Sequence, residues 1–286
     1  MVNGIQRVTA GPGCEALLVT GAEKTAVYDA GMAYCAEGLV ENIKEKLGSR
    51  PLDYVLLSHT HYDHVGGIPY LRRQWPKLTV FGAAHGKDVL ELKRIRSLAE
   101  NAAKEYLGAD AWELDYSDSD LRVDRIVGTG DKVSLGGRTI KVYETRGHTN
   151  CSLSFFIEED GILFASESTG VYARAGEVIP SPLTSYQDVG DSIEICRALE
   201  AKNIFSPHSL LVDKQAAPKY WDLCRSAVDE FKDLTLELHK KGASAEDILE
   251  AQKKRWWTSY CREEQPSAAF EINTRAGIAA ILKEFY

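Results

Sequence analysis

The chain has 286 residues, 44% hydrophobic and 27% charged, with a net charge of −8; this is the composition of a soluble globular protein with one large domain or two smaller ones. The acidic balance, without clusters of Lys and Arg, argues against a nucleic-acid partner, because counterion release needs clustered cations. The opening MVNGIQRVTAGPG has no apolar core, no apolar run approaches about 18 residues, and six scattered cysteines form no C-x-x-C pair; the expectation is no signal peptide, no membrane span, reduced buried thiols and a cytoplasmic location.

In chain order, EALLVTG and KTAVYDAG predict two paired strands, the second running into a turn at Asp29-Ala30-Gly31. A helix follows, with Leu39, Val40, Ile43 and Leu47 on one face and Gly48 as its stop. LDYVLLS is a nearly continuous apolar run, the pattern of a strand covered on both faces, and LTVFG is another short strand. Val89, Leu92, Ile95, Ala99, Ala102 and Tyr106 fall mostly three or four apart, which predicts a helical insertion near 85–110. Strands return in RIVGTGDKVSLGG, RTIKVYET, CSLSFFIEEDG and ILFAS, with Asp160-Gly161 as a hairpin signal.

Past NIFSPHS the pattern turns helical. Tyr220, Leu223, Ala227, Phe231, Leu234 and Leu238 form one apolar stripe ended by Gly242, Ser244 with Asp247 reads as a capping box, and a last helix carries Ile278, Ile281, Leu282 and Phe285. The expected layout is an α/β body over 1–212 and a helical region over 213–286 packed on it.

One stretch stands apart. LLSHTHYDHVGG places His59, His61, Asp63 and His64 within six residues of a chain that has seven histidines. In an extended segment His59 and His61 share a face, and Asp63 and His64 follow where Gly66 and Gly67 permit a tight turn. Imidazole and carboxylate at this density suit a borderline-soft divalent ion, and the cluster is rich enough to serve two. Downstream, His148 in RGHTN, Glu167 after ILFAS and His208 in SPHSL each follow an apolar strand, the edge where open α/β sheets gather their ligands. His85 reads as a structural histidine and His239 as a solvated helix-end residue favoured by the dipole. Tyr172 and Arg174, after Glu167, and Phe270 and Asn273, placed before the last helix, are candidate substrate contacts; Trp256-Trp257 reads as core or interface.

SHTHYDHVGG resembles the H-x-H-x-D-H-x-G-G signature of the metallo-β-lactamase superfamily. RGHTNCSLSF is similar to its G-H-T/S segment, ILFASES to its L-F-x-G-D element, SPHS to its last G-H and VYDAG to its early D-x-G turn, in the family's order over about 5–212. The resemblance implies an αββα sandwich with metals at one edge. It implies His59, His61 and His148 as ligands of one ion, Asp63, His64 and His208 as ligands of a second, residue 167 as the bridge, and Asp29 as a support of the histidine loop. The bridging residue is Glu167 where the family has Asp, and its extra methylene leaves a weaker or empty second site open. HYDHVGGIPYL and the helical C-terminal layout also resemble the subgroup of the quinolone-signal-response thioesterase (PqsE) of pseudomonads.

The implied activity is hydrolysis of an ester, thioester or lactone bond of a small molecule by a metal-bound hydroxide, with two divalent ions (Zn, Fe or Mn) as cofactors and Asp63 orienting the nucleophile. No G-x-S-x-G is present to supply a serine nucleophile. The alternatives are a small-molecule phosphodiesterase of the same fold, a regulatory protein acting through partners with a vestigial metal site, and mononuclear-iron dioxygenase chemistry. Flavodiiron redox chemistry is disfavoured, since that pattern has Glu where this chain has His61. Oligomeric state is open, with a homodimer through the helical parts as the assembly considered.

Overall fold

The computed structural model describes the chain except residues 1, 3, 14, 89–99, 102, 106–119, 174–175, 209–210 and 213–215. Two compact units are present, one of residues 1–143 with 155–160, the other of 144–154 with 161–286.

In the first unit six strands form a sheet in the order β1 (Ile5–Arg7), β2 (Leu17–Thr20), β3 (Thr25–Tyr28), β4 (Tyr54–Leu56), β5 (Thr79–Gly82) and β6 (Arg125–Ile126). The predicted pair β2 and β3 is antiparallel, with Leu17 opposite Tyr28, whereas β3 to β6 run parallel. Parallel neighbours require a crossover. That between β3 and β4 is α1 (Ala36–Leu47), which buries Leu39, Val40, Ile43 and Leu47 and stops at Gly48 with φ 58. Between β4 and β5 lie α2 (Tyr62–Val65) and α3 (Ile68–Gln74).

Leu18, Val27, Val55 and Val80 from four strands share one buried cluster with Leu39, Ile43, Ile68 and Leu71 from the helices. Each such side chain contributes about 1.5–3 kcal/mol by leaving water. The cluster fixes where the β4–α2 connection, and so the histidine segment, must stand. On the opposite strand face, the Tyr28 ring meets Phe155 edge-on at 6.0 Å.

Beyond β6, β7 (Lys132–Ser134) and β8 (Thr139–Glu144) pair antiparallel. Gly136 and Gly137 take φ 73 and 72 in the two-residue reversal, which side-chain-bearing residues resist. The helical insertion is seen at its start, α4 (Ala84–Asp88); most of it lies outside the described residues.

β9 (Leu153–Ile157) leads by Gly161, φ 63, to β10 (Ile162–Phe164). In the second unit β10 pairs parallel with β13 (Asn203–Phe205), and β11 (Val171–Ala173) pairs antiparallel with β12 (Glu177–Ile179). Then come α5 (Tyr186–Arg197), α6 (Tyr220–Lys240), α7 (Ala245–Trp256), α8 (Ser259–Glu264) and α9 (Ser267–Phe285). The capping box at Ser244 and Asp247 is complete: each side chain bonds the other residue's backbone N–H.

The buried face of α6 is rotated from the expected stripe. It carries Tyr220, Cys224, Ala227, Val228, Phe231 and Thr235, while Leu223, Leu234 and Leu238 are half-buried. α5, α7 and α9 all pack on this helix, and polar members of the face are satisfied inside it. The Thr235 hydroxyl donates to Phe231 O at 2.9 Å, and Gln252 Nε2 donates to the same carbonyl at 2.8 Å. Apolar periodicity is blind to such positions. The last helix starts at Ser267, directly after Pro266, so Phe270 and Asn273 lie within it and not before it. Its Ile278 and Ile281 are buried as expected, Leu282 is half-buried and Phe285 is exposed.

Among the described residues no helix is long and apolar enough to cross a membrane. Cys151, Cys196, Cys224 and Cys261 are buried free thiols and Cys35 is half-buried; Cys14 lies outside the described residues. Burial pushes the Cys196 thiol up to about 12 and the Cys35 thiol up to about 11, so neither is a nucleophile near neutrality.

Candidate metal centre

The first unit presents its histidines just past the C-terminal end of β4. His59 and His64 are 1% exposed, and their ring centroids stand 4.0 Å apart; His59 and His61 are 4.5 Å apart. His61 caps α2: its carbonyl accepts from the N–H groups of His64 and Val65 at 3.0 and 3.2 Å. That single helical turn puts Asp63 and His64 side by side, with Asp63 Oδ2 3.6 Å from His64 Nε2.

Asp29, fully buried at the end of β3 with φ 55, organises this cluster. Its carboxylate accepts from Ser58 N at 2.8 Å and from Ser58 Oγ at 2.7 Å, and its Oδ2 lies 2.8 Å from His64 Nδ1. A carboxylate can only accept, so the His64 proton is on Nδ1. The Ser58 hydroxyl has spent its one proton on Asp29, so His59 Nδ1, 3.0 Å from that oxygen, is the donor there. Both rings are thereby left with a lone pair on Nε2, the tautomer a metal ligand requires.

Glycines 66 and 67 serve a purpose other than a tight turn. Both have ordinary right-handed backbone, φ −59 and −81. A Cβ on Gly66 would come within 2.3 Å of Ala33 N, and one on Gly67 within 2.2 Å of Ala30 O. They let the histidine segment lie directly on the backbone that follows Asp29, where Ala30 N donates to His64 O at 2.8 Å.

The second unit assembles the remaining three candidates. His148, fully buried past β8, donates its backbone N–H to Ser168 Oγ at 3.0 Å, and its Nδ1 lies 2.8 Å from Ser181 Oγ. Glu167 opens a short 3-10 turn after β10 and is 6% exposed. Its Oε2 lies 3.4 Å from His148 Nε2 and its Oε1 2.9 Å from His208 Nε2. His208, past β13, takes φ 53. One carboxylate thus turns each of its oxygens to a different imidazole.

The donor set fits a divalent ion: imidazoles with carboxylates beside them, three of the rings (His59, His64 and His148) buried and held on their Nδ1 side by Ser58, Asp29 and Ser181. Tyr172 is buried in β11, its N–H donated to Ser206 Oγ at 2.9 Å. Phe270 is buried with its ring 4.8 Å from that of Trp257, and Asn273 is half-buried on α9. Arg174 lies outside the described residues. His85 is exposed on α4; His239 is exposed at the end of α6, as expected of a solvated helix-end residue. Trp256 is core, its Nε1 donating to Gln252 Oε1 at 2.9 Å. Sequence reasoning missed Ser58 and Ser181. The first stands beside His59 in the motif itself; the second is 33 positions from His148 with no pattern to link them.

A strand-edge cluster of histidines and carboxylates on an α/β frame defines a metal-binding class of protein. Residues 11–208 match the family model of the metallo-beta-lactamase superfamily, and the chain belongs to that family. It is 25% identical over 218 residues to the metallo-beta-lactamase fold-containing protein ST1585 of Sulfurisphaera tokodaii, covering 73% of this chain and 79% of that one. It is 24% identical over 190 residues to a hydroxyacylglutathione hydrolase of Prochlorococcus marinus, covering 65% of this chain and 62% of that enzyme, so less than two thirds of the hydrolase is spanned. The crystal structure of metallo-beta-lactamase family protein TTHA1429 from Thermus thermophilus aligns over 98% of this chain and 93% of that one, with a TM-score of 0.66 at 18% identity. The fold class is therefore the mixed α/β one of the metallo-β-lactamase superfamily, with a C-terminal helical region, as expected.

Proposed function

We propose that this protein is a metal-dependent hydrolase of an ester, thioester or lactone bond in a small molecule, with two divalent ions as cofactors. The observation that carries the reading is Glu167, whose two oxygens face two different histidines, His148 and His208. A carboxylate so placed is suited to span two ions, and glutamate reaches this arrangement despite its extra methylene. In this reading His59, His61 and His148 would hold one ion and Asp63, His64 and His208 the other, with Glu167 as a ligand they would share. The match to a hydroxyacylglutathione hydrolase favours a thioester over the other bonds.

When bound, such ions lower the pKa of a water ligand from 15.7 towards about 7. The chain's own residues supply the rest. Asp63 would help hold an ion and accept a hydrogen bond from the attacking water, orienting it. Ser58 and Asp29 hold His59 and His64 in the tautomer that presents Nε2. The buried placement of His59, His64 and His148 keeps bulk water from competing for their lone pairs.

The test is elemental analysis on protein purified without a metal column, followed by a panel of acyl thioesters, lactones and bis(p-nitrophenyl) phosphate. About two ions per chain and thioester hydrolysis abolished by chelation support the reading. Activity that survives complete metal removal overturns it, and turnover of the phosphate diester alone moves the assignment to a phosphodiesterase.

A further inference from the structure

His208 is held in an unusual way. It sits in the left-handed region, φ 53, which residues with a Cβ avoid although His is enriched there relative to bulkier types. Conformations of this kind persist only where the surroundings over-determine them. The base of its loop is closed by main-chain pairing: Phe205 bridges Leu211 antiparallel, and Val212 N donates to Ile204 O at 2.8 Å. Ser206 is tied by the Tyr172 N–H. Those bonds hold the stem of the loop.

A residue 52 positions further on contacts the His208 peptide itself. Tyr260, buried on α8 in the C-terminal helical region, donates its phenolic hydroxyl to the main-chain carbonyl of His208. α8 is itself anchored beside the core, since Cys261 Sγ donates to Trp256 O at 3.1 Å and Trp256 is 3% exposed. The side chain of His208 leaves the same Cα towards Glu167 Oε1 at 2.9 Å. Rotating the peptide would therefore swing the imidazole away from that carboxylate.

We propose that Tyr260 is a positioning residue for the metal ligand His208, so that the C-terminal helical region sets the affinity of one of the two ions. This rests on the reading of His208 as a ligand given above. Outer partners of metal ligands typically change metal affinity by about 10–100-fold when removed, and a phenol locked by its own burial loses little freedom in making the bond.

The experiment compares wild type, Tyr260→Phe and His208→Ala as full chains reconstituted with Co2+. It follows the visible d–d absorption and metal content on titration, with the melting temperature of the metal-free forms alongside. The expected result for Tyr260→Phe is a roughly tenfold weaker second Co2+, with changed d–d bands for that ion, the first ion retained, and an unchanged metal-free melting temperature. His208→Ala marks the affected ion by losing it altogether. Equal affinities and spectra in wild type and Tyr260→Phe overturn the proposal, as does loss of both ions together, which reports general damage. A wild type that binds no second Co2+, or a His208→Ala that keeps both ions, instead overturns the underlying reading of His208 as a ligand, and the proposal with it.

Discussion

The Nδ1 of His64 lies 2.8 Å from Oδ2 of Asp29, although the two residues are 35 positions apart. One carboxylate, buried completely, thereby decides which nitrogen of His64 carries the proton and, through Ser58, which nitrogen of His59 does. The early D-x-G turn in this way supports the candidate metal site without offering it a ligand.

Asp29→Asn keeps an acceptor for Ser58 N and tolerates φ 55, but its amide can present N–H to His64 Nδ1. We expect the metal-free fold to survive and metal affinity to fall by about 10–100-fold. Competitive titration against a chromophoric chelator measures this; affinity within about twofold of wild type would show that Asp29 is only a loop support.

Glu167→Gln should reduce metal content from about two ions per chain to about one, because the neutral amide cannot bridge with both oxygens. Elemental analysis after dialysis gives the number. Retention of two ions would remove the bridging role from this residue.

Gly67→Ala tests the contact between the histidine segment and the Asp29 turn. Its Cβ would meet Ala30 O at 2.2 Å, and backbone there has little room to retreat. Overpacking of this kind typically destabilises by about 1–3 kcal/mol, and weaker metal binding should accompany it. Thermal unfolding and metal titration should move together; a lowered melting temperature with unchanged metal affinity would uncouple the two segments.

Chelation should lower the melting temperature of the wild type, since a ligand held at a hundredfold over its Kd stabilises by about 2.7 kcal/mol. The shift should shrink in His61→Ala, which removes a ligand of one ion and is also expected to lose activity. Equal melting temperatures with and without EDTA in the wild type would argue against any ion bound by the folded state.

Ser244→Ala removes the cap of α7 and should destabilise by about 1 kcal/mol at neutral pH. The Ser244 hydroxyl and N–H hold the Asp247 carboxyl below its ordinary value. A carboxyl depressed in the folded state stabilises above its unfolded pKa, and that contribution is lost as pH falls through the folded value. The wild-type advantage over Ser244→Ala should therefore be full above about pH 5 and shrink on acidification below about pH 4. Urea unfolding at several pH values checks it; a gap that widens with acid would contradict the assignment.

The sequence by itself determined a good deal. Local rules were enough for β2 with β3, for α1 with its Gly48 stop, for the Ser244 capping box and for the strand ends that carry His59, His148, Glu167 and His208. Each depends on residues close in the chain, and the family motif itself is contiguous at His59 to Gly67. Tertiary structure alone decided what depends on distant neighbours. The buried face of α6 turned towards Thr235 and Cys224 because three helices surround it and Gln252 satisfies the polar groups there. Gly66 and Gly67 proved to be points of close approach, which no local turn rule can register. The partners that orient the imidazoles, Asp29 for His64, Ser181 for His148 and Tyr260 for the His208 carbonyl, lie 33 to 52 positions away from them. A hydrogen bond is directional over about 3 Å, and the chain carries no mark of which distant oxygen will end up that near.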